Sequence, residues 1–98
     1  MISLTSPSET LASVASRAKE RRLGEGMTQE ALAATSSVSL GSIKRFERTG
    51  EISFRSLILI AFALRAEDNF DGLFPPLPFK TLDDVLAEPR KRVRGRRR

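Results

Sequence analysis

The last nine residues hold seven cations, Arg90, Lys91, Arg92, Arg94, Arg96, Arg97 and Arg98, and no acid. Cations at that density favour phosphate, because each phosphate they neutralise releases condensed counterions. A second basic group lies mid-chain, where Lys44, Arg45 and Arg48 follow the hydroxyls of Ser39 and Ser42. Other chemistry has little to work with. The chain contains no His and no Cys, which removes the commonest general base, the commonest metal ligand and any thiolate metal site. No Gly-rich phosphate loop occurs, and the Ser, Lys and carboxylate spacings form no recognisable catalytic set. The residues therefore predict a protein that is not an enzyme and that uses no metal and no cofactor.

The net charge of +5 conceals a division. Outside the tail, ten basic groups face twelve acidic ones, a net −2. Residues 17–55 carry +3 and residues 65–89 carry −4. A mildly basic middle, an acidic stretch and a strongly basic end follow one another, and the first and last suit phosphate. Lack of Cys suits a reducing compartment. The first residues have neither a basic n-region nor an apolar h-region, and the longest apolar run, Leu57 to Leu64, is far shorter than the roughly 20 residues that span a bilayer. The expected location is cytoplasmic, with no membrane partner.

The elements that must position these groups are helices. Ser6-Pro7-Ser8-Glu9 combines a Ser N-cap, a Pro at the first helical position and a Glu three residues after the cap, and so predicts a capping box. Leu11, Ala15, Ala18 and Arg22 recur at helical spacing, and Gly24 and Gly26 close that helix. Thr28 caps a short second helix with Ala31, Leu32 and Thr35 inward, interrupted at Ser36-Ser37. After Val38, Ser39 caps a third helix from Leu40 to about Arg48. Ile43, Phe46 and Glu47 share one side of it, and Lys44, Arg45 and Arg48 lie largely on the other. Ser53 caps a fourth, Phe54 to about Ala66, whose Leu57–Leu64 run is apolar all round. Such a helix must be covered on every side. Ile58, Leu59 and Phe62 cannot face inward together with Leu57, Ile60 and Leu64, so a partner subunit is the expected cover, giving a homodimer.

Beyond Glu67, Phe70, Leu73, Phe74, Leu77 and Phe79 alternate with Pro75, Pro76 and Pro78, which predicts an extended strap whose aromatics dock on the helices or on a partner. Thr81 to Leu86 reads as a short helix stopped at Pro89, and the arginine-rich tail has nothing to bury and is expected to be disordered. The expected division is residues 1–67 as the helical domain, 68–89 as strap and short helix, and 90–98 as basic tail.

Two short helices joined by a tight turn form a helix-turn-helix. Met27-Thr28-Gln29-Glu30-Ala31-Leu32-Ala33, then Val38-Ser39, then Ile43-Lys44-Arg45-Phe46-Glu47-Arg48, resembles the phage-repressor and Cro-type (XRE-like) family over about Arg17 to Leu64. The resemblance implies an all-α, lambda-repressor-like helical bundle that binds double-stranded DNA. It implies that Gln29 grips a backbone phosphate and that Ser39, Leu40, Gly41, Ser42 and Arg45 face the major groove. Lys44 and Arg48 would meet flanking phosphates, and Arg22 and Glu47 would form a structural ion pair. Leu40 and Gly41 stand where relatives often carry long polar base readers, which shifts direct readout onto Arg45 and increases the share of shape readout. Ser37 stands where the family turn usually has Gly, so a left-handed residue there would cost energy.

Arg45 to Phe54, the Phe70-Asp71-Gly72-Leu73-Phe74-Pro75 segment and the basic end are similar to HipB-like antitoxin regulators, which accompany HipA-type kinase toxins and repress their own operon. That resemblance implies an autorepressor on an inverted-repeat operator with a HipA-like kinase toxin as partner. Two rivals stay open: an interaction module whose main role is to hold a toxin through the acidic, Phe-bearing strap, and a sequence-independent nucleic-acid binder acting through its tail.

Overall fold

Four α-helices and one 3-10 turn follow one another through the computed structural model, which describes residues 6–78. They are α1 (Pro7–Gly24), α2 (Gln29–Ser36), α3 (Leu40–Thr49) and α4 (Phe54–Ala63), followed by a 3-10 turn at Glu67–Phe70. No strand occurs among the described residues. The short helix expected after Thr81, the docking of Phe79 and the tail from Arg90 to Arg98 lie outside them.

Each α-helix begins as its cap residue dictates. Ser6 Oγ accepts from Glu9 N–H at 3.1 Å while Glu9 Oε1 accepts from Ser6 N–H at 3.1 Å, the reciprocal pairing expected of a capping box. Thr28, Ser39 and Ser53 hold extended backbone and cap α2, α3 and α4 through their hydroxyls. Helix α1 ends at Gly24, with Gly26 left-handed.

The core is one cluster of Ala15, Leu32, Val38, Ile43, Phe46, Ile60 and Leu64: one or two residues from each helix, one from the α2–α3 turn and one, Leu64, capping the end of α4. Helix α1 packs on α3, and α2 packs on both α3 and α4. Gly50 (φ +85°) ends α3 close against the α1 backbone. A Cβ there would stand 2.8 Å from Leu11 Cβ and 2.9 Å from the Leu11 backbone. Only glycine fits that contact and that conformation together.

Several expectations need correction. Thr35 is exposed, and the buried residue of that turn is Ser36, whose Oγ accepts from Val38 N–H at 3.1 Å. The hydroxyl satisfies a buried donor where α2 stops, which a count of apolar spacings does not register. Leu11 lies at the domain surface, touched on one side by Gly50. Helix α4 ends at Ala63 and not near Ala66, because Arg65 turns left-handed (φ 59°). The segment after it is not extended from the start: Glu67–Phe70 is helical, and the Phe70 ring meets Phe54 edge-on at 6.0 Å. Phe74, expected to dock, is 89% exposed. Its backbone is left-handed (φ 58°), directly before Pro75.

Candidate nucleic-acid interface

Helices α2 and α3 are joined by Ser37, Val38 and Ser39, and the geometry of that turn decides which face of α3 points outward. Ser37 is left-handed (φ 66°, ψ 20°), and its N–H reaches back to Ala33 O at 3.0 Å. A residue with a Cβ holds the conformation at a cost of about 1–2 kcal/mol. Val38 then drops into the core, and Ser39 Oγ accepts from Ser42 N–H at 3.1 Å to start α3. With Val38, Ile43 and Phe46 anchored inside, the opposite side of α3 faces solvent. Ser39, Gly41, Ser42, Lys44, Arg45 and Arg48 are all exposed there, and Leu40 is half-buried at the margin.

The inner side of α3 carries a charge as well. Glu47 accepts two hydrogen bonds from Arg22, Nε to Oε2 at 2.7 Å and Nη2 to Oε1 at 3.0 Å, and Arg22 Nη1 donates to Met27 O at 2.8 Å. The two side chains are 7% and 6% exposed, so this fork ties α1, the α1–α2 connection and α3 together away from water. Burial pushes the Glu47 carboxyl up. The hydrogen bonds from Arg22 and Gln29, with the nearby Arg22 and Lys19 charges, more than offset that and hold it below its ordinary value.

Two site residues have partners that their spacing in the sequence does not signal. Gln29, at the first position of α2, donates from Nε2 to Glu47 Oε1 at 2.9 Å. Its amide thus belongs to the Arg22–Glu47 network, and a phosphate contact from it must share that amide. Arg45 is not free either: its Nη2 pairs with the Glu51 carboxylate across the end of α3, with the side chains 61% and 58% exposed. The pair crosses a glycine turn at a separation of six residues, so no helical periodicity announces it. Exposed pairs of this kind are worth about 0–1 kcal/mol, which leaves Arg45 exchangeable. Ser39 and Ser42 also engage each other, Oγ to Oγ at 2.9 Å.

Beside the Arg45–Glu51 pair lies a cleft of about 330 Å³ bounded by Ser42, Ile52, Ser53 and Ser56. A separate apolar groove of about 550 Å³ runs between α1 and α4, lined also by Phe70 and Leu73. Of the residues expected at a partner surface, Phe62 is 61% exposed, Phe74 more so, and Ile58, Leu59 and Phe70 are half-buried, with Leu59 packed on the core. Among the described residues no three Asp or Glu side chains come together as a metal site, and no helix is long and apolar enough to cross a membrane. No protein-family model matches the chain, and no curated protein matches it.

Proposed function

We propose that this chain is a sequence-specific DNA-binding transcriptional regulator that presents α3 to the major groove. The supporting observation is the division of α3: Ile43, Phe46 and Glu47 are fixed inside, while Ser39, Gly41, Ser42, Lys44, Arg45 and Arg48 form a continuous exposed face that carries three cations, the one acid of the helix, Glu47, being turned inward. A helix about 10–12 Å across with its small residues at the N-terminal end suits a groove of about 12 Å. On this reading α2 and α3 act as a helix-turn-helix of the phage-repressor and Cro type. Arg45 reads a guanine through its fork, while Lys44 and Arg48 meet phosphates. The small side chains at Gly41 and Ser42 let the helix backbone approach the base edges. Paired through the exposed Phe62 side of α4, two copies would place two reading helices about 34 Å apart on an inverted repeat. The HipB-like features extend the reading to autorepression beside a HipA-type kinase toxin.

Binding of the full chain to duplexes selected from a randomised pool tests this. Arg45→Ala should reduce discrimination at one base pair by about 1–3 kcal/mol, and Lys44→Ala or Arg48→Ala should weaken all duplexes alike. A chain that prefers no duplex over another in such a selection is not a sequence-specific regulator.

A second reading, an antitoxin whose main role is to hold a protein partner, draws on the strap, where Leu73, Phe74 and Leu77 are exposed beside Glu67, Asp68 and Asp71. A variant with Gln29→Ala and Arg45→Ala that still captures a kinase-like protein would favour it, and loss of that capture would count against it.

A further inference from the structure

Glu51 is the acid nearest the reading face, and three contacts deliver it there. Gly50 is wedged against the Leu11 backbone in a left-handed turn, which fixes where the chain leaves α3. Thr49 Oγ1 donates to Arg45 O at 2.8 Å and accepts from Glu51 N–H at 3.1 Å, so one hydroxyl bridges the two backbones. The carboxylate then takes Arg45 Nη2. These contacts fix the Glu51 backbone, so its carboxylate starts from a set point beside Arg45 even though the exposed pair itself adds little to stability.

We propose that Glu51 is the positioning residue that makes Arg45 a reader of guanine and not a contact to phosphate. This inference rests on the DNA-reading assignment of α3. A guanidinium has five N–H donors in a plane, and a carboxylate on one Nη2 hydrogen leaves four: the one on Nε, the other on Nη2 and both on Nη1, the last three pointing away from the chain. That end-on fork matches guanine O6 and N7. Glu51 also cancels the charge of Arg45, so the pair as a whole is not drawn to the backbone. Attraction to phosphate is long-ranged and blind to sequence, whereas the fork is short-ranged and specific to one base. The carboxylate suppresses the first and orients the second. The recognised ligand is thus a half-site with a guanine opposite the middle of α3. Any other base there leaves a desolvated, carboxylate-held fork with a missing acceptor.

The experiment compares the full-length wild type, Glu51→Gln, Glu51→Ala and Arg45→Ala on the selected duplex, on the same duplex with the Arg45-dependent guanine replaced, and on random duplex, across a salt series. In Glu51→Ala, discrimination at that guanine should fall about fivefold or more. Affinity for random duplex should rise, and its salt dependence should steepen by about one phosphate equivalent. Glu51→Gln, which loses the charge but keeps an oxygen acceptor, should gain the same random affinity and retain more of the discrimination. Thermal unfolding should be nearly unchanged in both variants, because the pair is exposed. If Arg45→Ala abolishes discrimination while both Glu51 variants preserve it, the positioning role is wrong and the DNA reading stands. If the wild type discriminates among duplexes but not at any guanine dependent on Arg45, the positioning role is again wrong. If the wild type shows no preference among duplexes, both fail.

Discussion

Glu47→Ala removes the acceptor of three hydrogen bonds and strands the Arg22 guanidinium where it is almost wholly shielded from water. Breaking one side of a buried ion pair costs about 3–5 kcal/mol, since the remaining charge keeps its desolvation penalty without its partner. Two features place this case in the lower half of that range. Arg22 Nη1 keeps its bond to Met27 O, and Gln29, freed of Glu47, has a partly exposed side chain that can turn to water. The expected loss is about 3 kcal/mol, a large share of the roughly 5–10 kcal/mol that holds a domain of this size. Glu47→Gln should lose about 2 kcal/mol, because one amide oxygen can still accept from Arg22 while the NH2 faces a second donor. Exchanging both partners, Arg22→Met with Glu47→Leu, should recover much of the loss, since apolar replacements of buried pairs are often neutral. Urea unfolding followed by helical circular dichroism, with slopes compared between variants, measures all three. A Glu47→Ala loss below about 1 kcal/mol would mean that the pair behaves as an exposed one, and the argument that it braces α3 would be wrong.

The same carboxylate gives a pH signature. Its folded value lies below the ordinary value of 4.5, so its stabilisation is complete above that value and drains away as pH falls through the lower folded one. Wild type should therefore lose stability below pH 4.5 more steeply than Glu47→Gln; parallel curves would refute this. At the α2–α3 turn, Ser37→Gly should stabilise by about 0.5–1 kcal/mol, because it relieves a left-handed residue at the cost of some chain entropy, and a fall in the urea midpoint would contradict that geometry. Gly26→Ala and Gly50→Ala impose similar backbone strain, yet nothing stands within 4 Å of a Cβ at Gly26 while Leu11 blocks one at Gly50. Melting should fall at least twice as far for Gly50→Ala, and equal falls would place the α1–α3 contact elsewhere.

Much of this architecture is legible from residue types alone. The Arg22–Glu47 pairing and the cost at Ser37 come from the family resemblance, while the four caps and the inward Ile43 and Phe46 follow from signals within a turn or two of the residue concerned. The partners of Arg45 and Gln29 do not. Glu51 reaches Arg45 because Gly50 folds back on Leu11, and Gln29 reaches Glu47 because the turn through buried Val38 packs α2 against α3. Both depend on tertiary packing that periodicity does not encode. The end of α4 escapes for a related reason: the apolar pattern continues through Leu64, and the turn at Arg65 carries no glycine or proline to mark it.

The most direct measurement of the central claim is methylation interference on the selected duplex. Methyl groups on guanine N7 lie in the major groove, at the atom that the Arg45 fork would take. Methylation at one guanine per half-site, the two positions about one helical turn apart, should block the wild type and have little effect on Arg45→Ala. Interference confined to minor-groove positions, or identical in the two proteins, would contradict it.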